Sequence, residues 1–404
     1  MNIWKISIQN IKSKPLYTFL SVFILSLSIS LLLGIQQLKT SFEYQMENNL
    51  GDIDLVIGAK GSPLQLVLAS VLHLDHPTGN ISYNEAKKIG KNPMIKSAVP
   101  ISYGDNYKGF RIVGTTDTFA TLYKAELEQG RAVQKSMEVV LGAAVAQQLG
   151  LQIGDTILSA HGLIENNIEV HDDLLTVVGI LKPTKKVIDR LIITNLQSIW
   201  DIHNHEEAHG NEHHHDHKHE EKDQEITSLL ISFRSPAAFL SIPRKINQQT
   251  NMQAALPKFE LDRLYQYTGV GLKTIAAIAY LILIISGIIM FTSLYKMVKE
   301  RSFDLAILRT YGATHFQLIK IVAYEGFIIA FTAFSLGYIF VKIGLKSIVY
   351  MITTDDKWYM LKDLPCQELV NTGASVFIII MLSILLAIYP ILKMDISTIL
   401  SHEK

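Results

Sequence analysis

Four stretches of this chain are apolar over about 20 residues or more, the length a helix needs to cross a hydrocarbon core of roughly 30 Å. The first, "LYTFLSVFILSLSISLLLGI" from Leu16 to Ile35, marks a span over 16–37. Its apolar run exceeds the roughly 7–15 residues of a signal peptide and no small-residue cleavage site follows, so it reads as an uncleaved first helix. The second, "TIAAIAYLILIISGIIMFTSLY" from Thr274 to Tyr295, carries no charge and marks 271–295. The third, 321–341, holds one carboxylate near its start, Glu325. The fourth, 372–391, is uncharged and gives out at Pro390 and Lys393.

Between the first two spans, over residues 38–270, the pattern shortens to strands and brief helices. "EVVLGAAVAQQLGLQIGDTILSA", Glu138 to Ala160, predicts an apolar strand, then a helix with Ala143, Ala146 and Leu149 at helical spacing and Gly150 as its C-cap. Gly154-Asp155 turns into a further strand. "LLTVVGILKPT", Leu174 to Thr184, is a β-branched strand stopped by proline; "DRLIITNLQSIW", Asp189 to Trp200, is a strand leading into a short helix; and "ITSLLISF", Ile226 to Phe233, is a strand again. "SPLQLVLASVLHL", Ser62 to Leu74, is too short to span and predicts an amphipathic helix packed within this domain or near the headgroups.

Charge gives these elements sidedness. Lys5, Lys12 and Lys14 precede the first span, and Lys296, Lys299, Arg301, Arg309 and Lys320 lie in the loop 296–320. The loop 342–371 carries Lys342, Lys346, Lys357 and Lys362. Short cytoplasmic loops are enriched in Lys and Arg, so both termini and 296–320 are expected inside, 38–270 and 342–371 outside. The predicted fold is membrane α-helical with four transmembrane helices plus an α+β extracytoplasmic domain. An apolar content of 49% and a positive mean hydropathy agree with that class, and zero net charge without a basic stripe argues against nucleic acid. The one cysteine, Cys366, has no partner within the chain, which removes disulfides and cysteine-based zinc or redox motifs.

The run "HNHEEAHGNEHHHDHKHE" holds eight of the fourteen histidines: His203, His205, His209, His213, His214, His215, His217 and His219. Neutral imidazole suits Zn²⁺, Cu²⁺ and Ni²⁺, and the interleaved carboxylates keep the strip soluble while adding hard ligands. Two readings stand: a solvated loop that binds metal incidentally, and a metal-binding loop in use, with zinc the first choice. No ordered triad with an open position points to a catalytic metal. His73, Asp75 and His76 offer a smaller ligand triplet without an identifiable fourth member, set against the plainer reading of the segment as a packed helix and turn.

The most specific stretch is "KERSFDLAILRTYGATHFQLIKIVAYEG", Lys299 to Gly326: a helix with apolar Leu305, Ile307 and Leu308, broken at Gly312, then the third span. Periodicity alone allows an interfacial helix. The segment resembles the signature of MacB/FtsX-type ABC transporter permeases at Glu300-Arg301, Ile307-Leu308-Arg309, Tyr311-Gly312-Ala313 and Glu325-Gly326. The resemblance extends to "NIWKISIQNIKSKPLYTFLS", similar to the family's amphipathic leading helix (1–15), and to "VVLGAAVAQQLGLQIGDTI" and "LTVVGIL" in its outer domain. It also takes in "YPILKMDISTIL", Tyr389 to Leu400, which matches the closing proline of the fourth span and the short tail 392–404. The histidine-rich insertion is outside the family pattern.

This resemblance implies a non-enzymatic permease subunit of the inner membrane, paired as a homodimer and driven by a separate cytoplasmic ATPase. Glu300, Arg301, Leu308, Arg309 and Gly312 are then the residues that couple to the ATPase. The chain itself lacks G-x-x-x-x-G-K-[ST], and "GAKGS", Gly58 to Ser62, has neither that order nor the cytoplasmic side. ATP is thus expected only on the partner, with no intrinsic cofactor beyond Zn²⁺ at the histidine-rich loop. In the family, ATP-driven closure moves the outer domains to extrude periplasmic substrates, release lipoproteins or regulate cell-wall enzymes, with a periplasmic adaptor or substrate-binding protein as a candidate further partner. The alternatives are a transporter or accessory protein for a transition metal, with the histidine-rich loop as collector, and a regulatory scaffold or lipoprotein-release component that moves no soluble substrate. Glu325, an ionisable group inside a span, is a functional candidate by default, set against its reading here as a structural joint paired with Lys320 or a loop arginine.

Overall fold

The computed structural model describes residues 3–13, 15–161, 169–202, 224–352 and 361–392. They form two compact units: Met1–Glu43 with Thr268–Lys404, and Tyr44–Tyr267.

The first unit is helical. Among the described residues, four helices are long and apolar enough to cross a membrane: Pro15–Leu50, Pro257–Glu300, His315–Ile352 and Cys366–Leu392. A leading helix, Ile3–Ser13, and a loop helix, Ser302–Thr310, complete it. Each long helix continues past the apolar stretch that marks it. The apolar run records only the part that hydrocarbon must cover, and backbone hydrogen bonding carries the helix on through polar sequence. At 36 and 44 residues, the first two reach lengths of roughly 54 and 66 Å. Residues 44–50 and 257–267 count with the second unit, where Met46, Leu50, Leu261 and Leu264 join its core.

Inside the bundle, Leu25, Ile29 and Leu33 of the first long helix meet Leu283 and Met290 of the second, Ile329 and Ala333 of the third, and Ile380 and Ile384 of the fourth. Lipid is as apolar as leucine, so close backbone approach and interhelical hydrogen bonds favour association. A Cβ on Gly287 would lie 2.4 Å from Ile379, and one on Gly326 2.6 Å from Ile384. Ser28 and Ser286 hydroxyls are 2.6 Å apart, and Ser383 Oγ donates to the Gly287 carbonyl at 2.9 Å.

The second unit contains twelve strands among the described residues. They are β1 Leu55–Ala59, β2 Ile81–Ser82, β3 Ile95–Tyr107, β4 Phe110–Thr115, β5 Leu127–Gly130, β6 Glu138–Leu141, β7 Thr156–His161, β8 Glu169–Leu181, β9 Leu191–Asn195, β10 Glu225–Ile226, β11 Ser228–Phe233 and β12 Met252–Ala255. Ten of them form one sheet in the order β12-β1-β11-β3-β4-β9-β6-β8-β5, with β7 beside β3 and β8; β2 and β10 pair separately. The long strand β3 is the hinge of this order: Ile95–Ile101 pair with β11, and Ser102–Tyr107 pair with β4. One core surrounds β1, β11 and β12 under the helix Ala238–Gln249, and another surrounds β4, β6, β8 and β9 under the helix Ala143–Leu149. Gly150 ends the latter helix in the left-handed region, φ 65°. The predicted helix near Ser62–Leu74 is Pro63–Ser70, with Ser62 Oγ accepting from the Gln65 amide.

Candidate coupling site

The stretch Leu308–Gln317 folds as a tight corner. The Ala313 amide donates to the Leu308 carbonyl and the Gly312 amide to the Arg309 carbonyl, at 3.1 and 3.0 Å. This double bond pattern is a Schellman motif, and it needs a left-handed residue where Gly312 stands with φ 95°. Immediately afterwards Thr314 and Gln317 form a reciprocal capping box: the Thr314 amide donates to Gln317 Oε1 at 3.0 Å, and the Gln317 amide to Thr314 Oγ1 at 3.3 Å. One helix is thus stopped and the next started within four residues. Leu305 and Ala306 are buried against the bundle, with Leu308 and Ala313 partly so, which fixes the loop helix by one face. At the tip Tyr311 is 86% exposed and Phe316 64%.

Arg301 stands at the N-cap of the loop helix, yet its side chain serves another element. Nη2 donates to the Asn10 carbonyl at 3.1 Å and to Ser13 Oγ, two groups in the last turn of the leading helix. Carbonyls there lack intrahelical partners, and a cation near a helix C-terminus is favourable. Arg301 Nη1 lies 3.8 Å from Glu325 Oε1, and Asn10 Nδ2 donates to that same oxygen at 2.6 Å. Glu325 is 2% exposed. Two further contacts fix the leading helix on the third long helix: Ser7 Oγ donates to the Ile321 carbonyl at 3.2 Å, and Trp4 meets Tyr324 edge to face at 5.5 Å.

The predicted residues therefore divide. Arg301 and Glu325 come together; of the two partners considered for Glu325, the loop arginine is the one in reach, because Lys320 Nζ lies over the Phe316 ring at 4.7 Å. Leu308 faces the bundle core, Arg309 is half-buried in the last turn, Gly312 is exposed at the corner, and Glu300 ends the second long helix on an exposed face. The eight histidines and the tail 393–404 lie outside the described residues. Sequence reasoning missed Trp4, Ser7, Asn10 and Ser13. The available signal was their spacing of three along the leading helix, which makes each a neighbour of the next in a stripe that winds around it.

The triplet His73, Asp75 and His76 is corrected. Among the described residues no three metal-ligating side chains lie together. His73 turns inward, with Nδ1 2.8 Å from the Tyr103 hydroxyl, while Asp75 Oδ1 accepts from the His76 amide and His76 is exposed.

Residues 18–247 match the family described as the MacB-like periplasmic core domain, and residues 276–396 match the FtsX-like permease C-terminal family. Among solved structures, the periplasmic region of MacB from Actinobacillus actinomycetemcomitans aligns with 10% identity and a TM-score of 0.36, over 54% of this chain and 97% of that one. The extracellular domain of the noncanonic ABC-type transporter YknZ from Gram-positive bacteria aligns with 12% identity and a TM-score of 0.30, over 50% and 98%. No curated protein matches the chain.

Proposed function

The chain belongs to the MacB/FtsX-type family of ABC transporter permeases, and from that premise we propose that it turns ATP hydrolysis on a separate cytoplasmic ATPase into movement of its domain 44–267. Permeases of this family work with a cytoplasmic ABC ATPase. In this reading the ATPase docks on the corner 302–317. The supporting observation is a doubly capped turn that presents Tyr311 and Phe316 to solvent. Aromatic residues held clear of a core cost solvation unless a partner covers them, and such residues are enriched in protein interfaces. The subunit pairs as a homodimer, and an adaptor or substrate-binding protein completes the assembly on the outer side. A link to zinc rests on the histidine-rich segment alone.

Full-length Arg309→Glu and Gly312→Glu variants test this. Each is expected to weaken association with the ATPase, or its stimulation, by about tenfold, the scale of a misplaced or unpaired charge in an interface. Melting of the outer domain should not change. Gly312→Asn, which tolerates a left-handed backbone, should keep most of the stimulation and so separates charge from backbone strain. Unchanged ATPase binding and activity in both glutamate variants would remove this assignment of the loop.

A further inference from the structure

Asn10, Arg301 and Glu325 bring three elements to one point: the end of the leading helix, the start of the loop helix and the first turns of the third long helix. Glu325 is buried, and the Arg301 side chain is only 15% exposed. A carboxylate and a guanidinium in such surroundings are costly unless each is compensated, and removing either leaves the other uncompensated. Asn10 makes the pair a triad: its side-chain Nδ2 donates to Glu325 while its backbone carbonyl accepts from Arg301. The leading helix is therefore held by both ends of the ion pair as well as by Ser7 and Trp4. Sequence places Pro15, the first residue of the first long helix, two positions after Ser13.

We propose that the Asn10–Arg301–Glu325 triad is a joint that makes the leading helix move with the loop helix, so that force applied at the corner 302–317 enters the first long helix as well as the third. The inference rests on the coupling role given to that corner. Arg301, Asn10 and Glu325 are positioning residues in it; none touches substrate or nucleotide. A helix that only anchored the chain at the membrane surface would need its apolar face and lysines, not a buried triad shared with the loop.

The test uses the full chain in lipid nanodiscs. The three tryptophans allow a direct reporter: with Trp200→Phe and Trp358→Phe, emission comes from Trp4, half-exposed and set edge to face against Tyr324. Arg301→Gln, Glu325→Gln and Asn10→Ala should each shift Trp4 emission to the red and raise its quenching by acrylamide about twofold or more as the helix is released. The complex purified from native membranes through a tag on this chain, with Mg-ATP as the probe, should keep its ATPase subunit but lose about tenfold in stimulated hydrolysis. The double variant Arg301→Gln/Glu325→Gln should lose far less than the two single losses combined, because it leaves no lone charge; independent packing defects would add. Trp4 that stays packed in all three single variants overturns the joint. Release of Trp4 with undiminished stimulation overturns its role in transmission. If the wild-type chain brings down no ATPase at all, the coupling reading itself falls, an outcome distinct from the other two.

Discussion

His73 is held in the left-handed region, φ 54°, with its ring buried between Tyr103 and Phe119. The Tyr103 hydroxyl donates to the Ala69 carbonyl, so it accepts from Nδ1–H, which fixes the neutral tautomer. Burial, and then the Arg111 charge stacked over Tyr103, push the His73 pKa down to about 3. The sign follows from linkage. Above about pH 6.5 both folded and unfolded chains carry a neutral His73; below it the unfolded chain takes up a proton that the folded one refuses. Stability of the domain 44–267 should fall as pH drops from about 6.5 toward 3, by at most about 1.4 kcal/mol per pH unit from this residue. In pH-dependent melting of the full chain, His73→Asn, which suits a left-handed backbone and cannot protonate, should flatten that slope. It should also lower stability near neutrality by about 1 kcal/mol for the altered hydrogen bond. An unchanged slope would show that His73 is not the acid-sensitive group. In the sequence His73, Asp75 and His76 were legible as three ligating residue types in a short run. The partner that decides otherwise, Tyr103, is thirty positions away.

Elements were legible where a single periodicity governed them. The helix Ala143–Leu149 and its glycine cap follow from a short local run of sequence, and so does the strand Leu191–Asn195 leading into the helix at 196–202. The ends of the long helices were not legible, because hydropathy marks only the part in hydrocarbon; beyond it the backbone ladder continues, and residues 44–50 are anchored by contacts distant in sequence. Gln45 and Asn48 donate to the Lys185 carbonyl, and Asn49 Oδ1 accepts from the Val187 amide. Asp189, buried, shapes that loop by accepting from the amides of Thr184 and Lys185 and from the Thr184 hydroxyl. The histidine-rich insertion sits between elements whose facing ends are already tied: Trp200 Nε1 donates to the Glu225 carbonyl at 2.8 Å. Deleting Asn204 to Lys222 should therefore leave the full chain folded and inserted, since a short turn suffices to close the gap. The intact chain should bind more Zn²⁺ than the deleted one, and the difference should fade as pH drops through about 6.5, where protons compete for imidazole. Zinc titrations that coincide for the two chains at neutral pH would leave the segment as a solvated insertion.

At the scale of the whole molecule, the helical unit has two chemically distinct ends. At one, the Lys362 amide donates to Ser41 Oγ at 2.9 Å, Gln37 Nε2 donates to the Lys362 carbonyl at 3.2 Å, and Lys342 pairs with Asp363 at 2.5 Å. Lys362, just ahead of the fourth long helix, therefore lies against the part of the first helix that leads on to residue 44. At the other end the leading helix, Arg301 and the start of the third helix meet. Four crossings demand this pairing, because the odd-numbered connections share one side and the even-numbered ones the other. Charge supplies the direction: Lys5, Lys12, Lys296, Lys299, Arg301, Arg309 and Lys320 gather at the triad end, which the positive-inside rule assigns to the cytoplasm. The single cysteine makes the assignment measurable without engineering, since Cys366 is exposed at the start of the fourth long helix, on the end that faces outward in this scheme. A membrane-impermeant thiol reagent should label wild-type Cys366 in intact spheroplasts. Glu128→Cys in a Cys366→Ser background, on the exposed strand β5, should label equally well. Thr314→Cys in that background, at the exposed capping box, should label only after the membrane is opened. Labelling of Thr314→Cys in sealed cells together with protection of Cys366 and Glu128→Cys would invert the molecule and place the corner 302–317 beyond reach of any cytoplasmic ATPase.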